Sequence, residues 1–481
     1  MIGRMIRRSV RRTILSRIVR ASLVFASLAL VCPTLAQGQA VSQPQKTSRP
    51  QEKAPRQPAA IVPTVTAVAH DSTTTRVVVD GITVIHRQTN TNLFVANLYL
   101  LGGVQLATPQ TAGLEPMLLE VTERGTKKYP GEELRRAMSR TGSEIGVAAT
   151  DDYTVYGLRT TTDRIDSTWS IYADRLLHPT LAPADFAFVR DNRVAALQQR
   201  VDDADALLEY LADSVAFVGY PYALSAVGTE RSLAAITLDQ LKEFHRTQFV
   251  RSRLMLVVVG NISRARLERL VHATFGTLPA GSYAWKVPEA LGPRAGSNVH
   301  VVSRRLPTNY ILGWWSGPSA GAADVPALRV ATAILQGRLF AEVRSRRNLT
   351  YAVEARFRDR AVTSGGLYVT TTRPDETLRV MREQVQGLQE ELIPTKALAP
   401  LVQQFITEYF LDNETSGAQA DFLARAELYR GDYRAGDRFV ADLRAVTGED
   451  VQRVAREWMR NTRFTYIGNP SQLNRFTLMA F

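Results

Sequence analysis

Six histidines, His70, His86, His178, His245, His272 and His300, are the chain's candidates for a nitrogen-bound metal, and no two lie within five residues of each other. The helical His-x-x-x-His pair at the core of many zinc hydrolase sites is therefore absent. The single cysteine, Cys32, stands inside an apolar N-terminal run. Cleavage of that run would remove it, and with it every disulfide, thiolate metal site and cysteine nucleophile. One serine has a suggestive setting. Residues 317–321, GPSAG, fit G-x-S-x-G between the apolar strand YILGWW and a helix expected from about Asp324. A nucleophile elbow continues serine, acid, histidine, and no histidine follows His300, so Ser319 lacks its base. A strand-to-helix turn made by Pro318 and Gly321 is the simpler reading. No glycine-rich phosphate loop is visible.

The elements around these residues are more informative. In residues 113–130, GLEPMLLEVTERGTKKYP, the apolar Leu114, Met117, Leu118 and Val121 fall at i, i+3, i+4 and i+7. That is the stripe of a buried helix, and the Gly-Thr-Lys-Lys-Tyr-Pro after it is a turn. The chain then shows a weak internal duplication. TLDQLKEFHRTQF (237–249) and TGEDVQRVAREWM (447–459) both read as helices starting at a capping Thr. Each precedes an apolar strand closed by Gly-Asn, at 260–261 and 468–469. Residues 183–217 read as two helices, and 350–357 as an alternating strand. The expected class is α+β, with two homologous α/β-sandwich halves, each an antiparallel-rich sheet with helices on one face. The halves are placed at 66–283 and 299–481, joined by a Gly- and Pro-rich linker at 284–298.

The net charge of +13 suggests nucleic acid or membrane, but its location argues otherwise. Seven Arg and no acid in residues 1–40, with four basic residues against one Glu in 41–60, account for ten of these charges. The rest of the chain is near neutral, which excludes a nucleic-acid footprint. Residues 1–40 read as an export signal: a long positive segment, the apolar run ASLVFASLALV, and small residues at Ala36 and Ala40. The run is too short for a comfortable span, so no membrane segment is expected after its removal. A mitochondrial presequence is the alternative that the compact apolar run disfavours, and Leu-Val before Cys32 argues against lipidation. The expected location is the periplasm. Residues 41–65, rich in Pro, Gln and Lys, read as a disordered linker.

GLEPMLLEVTERGTKKYP, followed by GEELRRAMSRTGSEIGVAATDDYTVY (131–156), resembles the pitrilysin/insulinase-type zinc peptidases, which include the mitochondrial processing peptidase. YPYALSAVGTERSL (220–233), VVVGNI (257–262), ILQGRLFAEVRSRRNLTYAV (334–353) and VTGEDVQRVAREWM (446–459) extend the resemblance over nearly all of residues 70–475. It implies two homologous halves of a clamshell, and a first helix carrying His-x-x-Glu-His. Here Pro116 stands at the first His, Leu119 at the general-base Glu and Glu120 at the second His. An ungapped alignment puts Ala195 or Ala196 at the third ligand, a Glu in the family. The resemblance thus implies a zinc helix kept for packing, no metal bound by this chain, and Glu120 alone unable to hold Zn²⁺ or activate water. Pro116 is tolerable there because an N–H in the first helical turn has no partner to lose.

Family members also place an Arg and a Tyr seven residues apart in the C-terminal half, hydrogen-bonding the substrate near the scissile carbonyl. Arg344 and Tyr351 match that spacing. A guanidinium and a phenol converging on one oxygen would stabilise a developing oxyanion; read without the family, the same residues are a basic helix end and a strand aromatic. In two-chain family members one subunit carries zinc and its partner lacks it. The resemblance therefore implies the zinc-less subunit of a secreted heterodimeric metallopeptidase. A homologous zinc-bearing subunit and extended peptides would be its partners. The alternatives are a purely structural or assembly subunit, and a peptide-binding module working by strand addition.

Overall fold

The computed structural model describes residues 63–71, 73–292 and 294–481. The segment read as an export signal, Cys32 and most of the 41–65 segment read as a linker lie outside the described residues.

Among the described residues twelve strands form two sheets. They are β1 (Val65–His70), β2 (Thr74–Val79), β3 (Ile82–Gln88), β4 (Leu93–Leu101), β5 (Glu144–Ala149), β6 (Tyr153–Thr161) and β7 (Leu254–Gly260), then β8 (Asn298–Ser303), β9 (Asn309–Ser319), β10 (Ala352–Arg358), β11 (Val362–Thr371) and β12 (Arg463–Gly468). The helices that position the site are α1 (Leu114–Val121), α2 (Ile165–Leu177), α3 (Pro183–Asp202), α4 (Ala204–Ala216), α5 (Leu238–Gln248), α6 (Asp324–Leu339), α7 (Pro374–Glu390), α8 (Ser416–Arg430) and α9 (Gly448–Trp458).

The first sheet runs β1-β2-β3-β7-β4-β6-β5 and the second β8-β12-β9-β11-β10. Set β3 against β8, β7 against β12, β4 against β9, β6 against β11 and β5 against β10, and the five-strand orders coincide. Each sheet has one parallel pair, β3 with β7 and β8 with β12, and the other pairings are antiparallel. The duplication is thus carried by topology as well as by sequence. The two Thr-led helices, α5 and α9, enter the closing strand of each repeat, and Thr237 and Thr447 both make full capping boxes.

Alternation along the strands divides each sheet into two apolar faces. In the first sheet, Ala96, Leu98, Leu256 and Val258 point towards helices of their own half, where Met117, Leu118 and Trp169 complete the core. The opposite residues, Val95, Tyr99, Val257 and Val259, pack against Leu423, Ala424 and Leu428 of α8, a helix of the second half. The second sheet mirrors this. Ile311 and Trp315 face α6, whereas Leu312, Trp314 and Tyr368 are covered by Leu207, Leu208 and Ala212 of α4, from the first half. Each sheet is therefore covered on both faces, once by its own helices and once by a helix exchanged from the other half. Burial on both faces explains why all seven residues of β7, LMLVVVG, are apolar or glycine and buried.

The exchange is fastened by charge. Arg356, Arg358 and Arg360 alternate along and just beyond β10. Arg356 and Arg358 pair with Glu209 and Asp213 of α4, and Arg360 pairs with Asp151 at 2.5 Å. Beside them the buried Asp152 accepts from Tyr222 Oη (2.6 Å), Tyr429 Oη (2.7 Å) and the Ala361 N–H (2.8 Å). Burial pushes its carboxyl up, and the two phenols and the amide pull it back. The segment joining the sheets is also anchored, with Trp285 donating its indole N–H to Leu428 O at 2.9 Å.

Candidate functional site

The helical crossing between β4 and β5 begins with α1. The corresponding crossing in the second half, between β9 and β10, is α6 with the turn that follows it. The residues singled out from the sequence therefore occupy the same topological slot in the two repeats, with opposite surroundings.

In the first slot, Gly113 caps α1 in the left-handed conformation (φ 85°) and Pro116 is the third helical residue, where no amide hydrogen bond is lost. Pro116 is buried and Leu119 is fully buried in the first core. Glu120 points to α3, where Arg193 Nη1 meets it at 3.0 Å. Burial raises the Glu120 carboxyl, Arg193 opposes that, and nearby Glu123 adds to it. Burial also lowers the Arg193 guanidinium, against the pull of Glu120. One turn earlier Glu115 binds Arg253 at 2.7 Å, and Arg253 donates its remaining N–H groups to Leu101 O and Gln248 O. The cleft beside Pro116, lined also by Leu106, Thr150, Ser225 and Phe244, holds about 30 Å³, room for a single water.

Zinc does not fit this donor set. Proline and leucine offer no ligand atom, and the one carboxylate faces a guanidinium. Among the described residues no three His, Cys, Asp or Glu side chains gather as a metal would require. Ala195 and Ala196 are exposed on α3, and the α3 side chain that meets Glu120 is Arg193, which the sequence reading missed. Nothing local marks it: 73 residues of chain separate the pair, and only the packing of α1 on α3 joins them.

In the second slot α6 continues as a π-helical turn, Phe340–Arg346, a wider winding often found at functional sites. Asn348 takes a positive φ (50°) and reverses the chain. Leu349 donates its N–H to Val343 O at 2.9 Å, while Thr371 Oγ1 donates to Leu349 O at 2.8 Å. These bonds fix the loop on the end of β11. They bring Arg344 and Tyr351 together, with the guanidinium carbon 4.7 Å from the Tyr351 ring centre and 5.2 Å from that of Phe340. Tyr351 is 80% exposed, a large share for so big an aromatic. Arg346 and Arg347 both pair with Glu342, Arg346 at 2.7 Å. Among the described residues no carboxylate pairs with Arg344.

Ser319 is the last residue of β9, paired with Val362, and the neighbouring Pro318 O accepts from Thr363 Oγ1 at 2.8 Å. The GPSAG segment thus belongs to a strand end. His300 lies on β8, the outer strand of the second sheet.

The duplicated five-strand sheet agrees with the two homologous halves expected from the sequence, and this chain belongs to the insulinase/pitrilysin-type peptidase family. Residues 83–230 match the insulinase model (peptidase family M16), and residues 235–405 match the model described as the peptidase M16 inactive domain. Among its relatives, an uncharacterized zinc protease of Streptomyces coelicolor is 23% identical over 370 residues, covering 73% of this chain and 79% of that one. Subunit 1 of the mitochondrial cytochrome b-c1 complex of Caenorhabditis elegans is 22% identical over 391 residues, 78% of this chain and 83% of the subunit. The same fold is seen in the crystal structure of a peptidase M16 inactive domain from Pseudomonas fluorescens, with a TM-score of 0.74 at 18% identity, over 85% of this chain and 98% of that one.

Proposed function

We propose that this chain is the zinc-less subunit of an exported, two-chain metallopeptidase. It supplies Arg344, Tyr351 and half of an enclosed chamber to a homologous subunit that carries the zinc. One observation carries this reading. Among the described residues no carboxylate pairs with Arg344, whose guanidinium lies against an exposed phenol, while in the matching slot Glu120, where a ligand would stand, is matched by Arg193. An unpaired cation beside an exposed tyrosine contributes little to folding, and it suits a peptide carbonyl on which negative charge develops. The likeness to a cytochrome b-c1 subunit supports a second reading, a structural or assembly subunit, in which the pair makes no contact with substrate.

The test is to isolate the tagged mature chain from its source cells with whatever homologous subunit accompanies it, and to measure zinc content and cleavage of neutral fluorogenic peptides. The expected complex holds zinc only in the partner. Arg344→Ala or Tyr351→Phe should reduce turnover about a hundredfold without changing assembly or zinc content, whereas Arg346→Ala should do little on a neutral peptide. Normal turnover in both variants would leave the structural reading standing.

A further inference from the structure

We infer that the surface around Arg344 and Tyr351 selects extended peptides carrying a carboxylate close to the peptide group held there. This rests on the proposal that the pair contacts peptide, and it adds a substrate class. The turn from Phe340 to Tyr351 carries three guanidinium groups, Arg344, Arg346 and Arg347, against one carboxylate, Glu342. Arg346 is 71% exposed and shares that carboxylate with Arg347. The neighbouring cation, Arg373, reaches Asn348 O at 3.5 Å and is matched by its own Glu376 at 3.2 Å, so it leaves the balance unchanged. The turn that ends at the exposed Tyr351 thus carries an excess of two positive charges, on a chain whose residues beyond 60 are near neutral.

The form of the cations matters as well. Arg344 lies against two aromatic rings, which hold its planar fork in place at little further entropic cost and leave its N–H groups for a carboxylate. Main-chain recognition is closed off at the adjoining sheet edge. The Ala355 N–H donates to Gln336 Oε1 at 2.6 Å, and Gln336 Nε2 donates to Val353 O at 3.4 Å. The Gln336 amide thus stands where the peptide group of an added strand would bond to β10. A peptide reaching this loop is therefore read by charge and by the tyrosine face. Nucleic acid is a poorer candidate, because an excess of two charges neutralises few phosphates.

The experiment uses the mature chain and two fluorescein-labelled decapeptides that differ only in two central residues, Glu in one and Gln in the other, with binding followed by anisotropy. At about 50 mM salt the Glu peptide should bind about three- to tenfold more tightly, the range of one or two exposed ion pairs, and the preference should shrink at 300 mM salt. Arg344→Ala combined with Arg346→Ala should abolish it, while Arg246→Ala, on the exposed face of α5, should leave it unchanged. Equal affinities, binding of neither peptide, a preference that survives the double variant, or displacement of the Glu peptide by an oligothymidylate of equal length would each overturn the inference. None of these readouts needs cleavage. An acidic preference in a chain whose complex cleaves nothing would sink the catalytic reading alone, and cleavage without an acidic preference would sink only this one.

Discussion

The β4–β5 and β9–β10 crossings occupy the same place in two matching sheets and differ in what they do with charge. In the first, Leu119 is sealed in the core and Glu120, the one carboxylate among the positions aligned with the family's zinc helix, lies against Arg193. In the second, Arg346 and Arg347 are held by Glu342 while Arg344 lies against two rings and, among the described residues, pairs with no carboxylate, and Tyr351 stands in solvent. A half-buried charge with no partner destabilises a fold unless something offsets it. The first slot has removed or matched its charges, as an element kept for packing should. In the second, among the described residues, one guanidinium has no carboxylate partner, which is the feature on which the proposed peptide contact rests.

The sharpest break between the slots concerns burial. Leu119→Glu would restore the family's base residue, but it places a carboxyl in a fully buried position with no partner. It should destabilise the protein by about 4 kcal/mol or more, measured by urea unfolding. Tyr351→Glu, at an exposed position, should change stability by less than about 0.5 kcal/mol. Equal effects would mean that the first helix is not packed as described.

Catalysis gives the next largest contrast. In the zinc-bearing complex, Glu120→Ala should leave turnover within about twofold of wild type, whereas Arg344→Ala lowers it about a hundredfold. A large loss on Glu120→Ala would show that the degenerate helix still acts on substrate, and the two slots would no longer differ in the way proposed.

How much of this could be read in the sequence depended on whether the signal was local. The α1 stripe, the Thr237 and Thr447 caps and the Gly-Asn strand ends are set by neighbours within a few residues, and all appear where periodicity and capping chemistry place them. The division of residues 183–217 into two helices also holds, with the break at Asp203, which caps the second. The Arg344/Tyr351 pair came from the resemblance, and the structure brings the two side chains together because both lie on one turn. The Glu120–Arg193 pair, the Asp152 junction and the exchange of α4 and α8 were not, because each joins residues far apart in the chain. The charges of α4 hint at the exchange only once their partners on β10 are known. Helices on one face of each sheet were expected, and the coverage of the second face from the other half is what the sequence could not supply.

The Glu120–Arg193 pair itself allows a finer test of the first slot. Glu120 is 40% exposed and Arg193 13%, so the pair lies between a surface bridge and a buried one. Arg193→Ala should cost about 1–2 kcal/mol and so should Glu120→Ala, while the double variant should cost little more than either, giving a coupling near 1 kcal/mol. In Arg193→Ala the Glu120 carboxyl, already raised by burial, should rise further because its opposing cation is gone. Titration by NMR would follow it directly. Additive losses would mean that the two side chains merely sit near each other.

The smallest expected effect is a dependence on pH confined to the first half. His86, buried on β3, has no partner for Nε2 among the described residues, and burial holds its imidazole below the ordinary value of 6.5, although a bond involving Gly260 opposes this. Burial likewise lowers His245, whose Nε2 lies 2.8 Å from Leu176 O. For both groups the unfolded chain binds a proton near pH 6.5 that the folded chain refuses. Their contribution is therefore full above pH 6.5 and is lost as the pH falls towards the folded-state values, by at most about 1.4 kcal/mol per pH unit for each imidazole. Carboxyls raised by burial, such as Asp152 and Asp213, act in the opposite direction and add stability as the pH falls through their folded-state values. Total stability therefore mixes the two effects, and a difference measurement separates them. His86→Leu should flatten the wild-type loss between pH 7 and 5. Hydrogen exchange of the wild type should place the loss in the first half, around β3 and α5, and spare β9 to β12. A loss of equal size in both sheets would show that the exchanged helices make the chain one cooperative unit, and the contrast between the slots would then be one of chemistry without a difference in local stability.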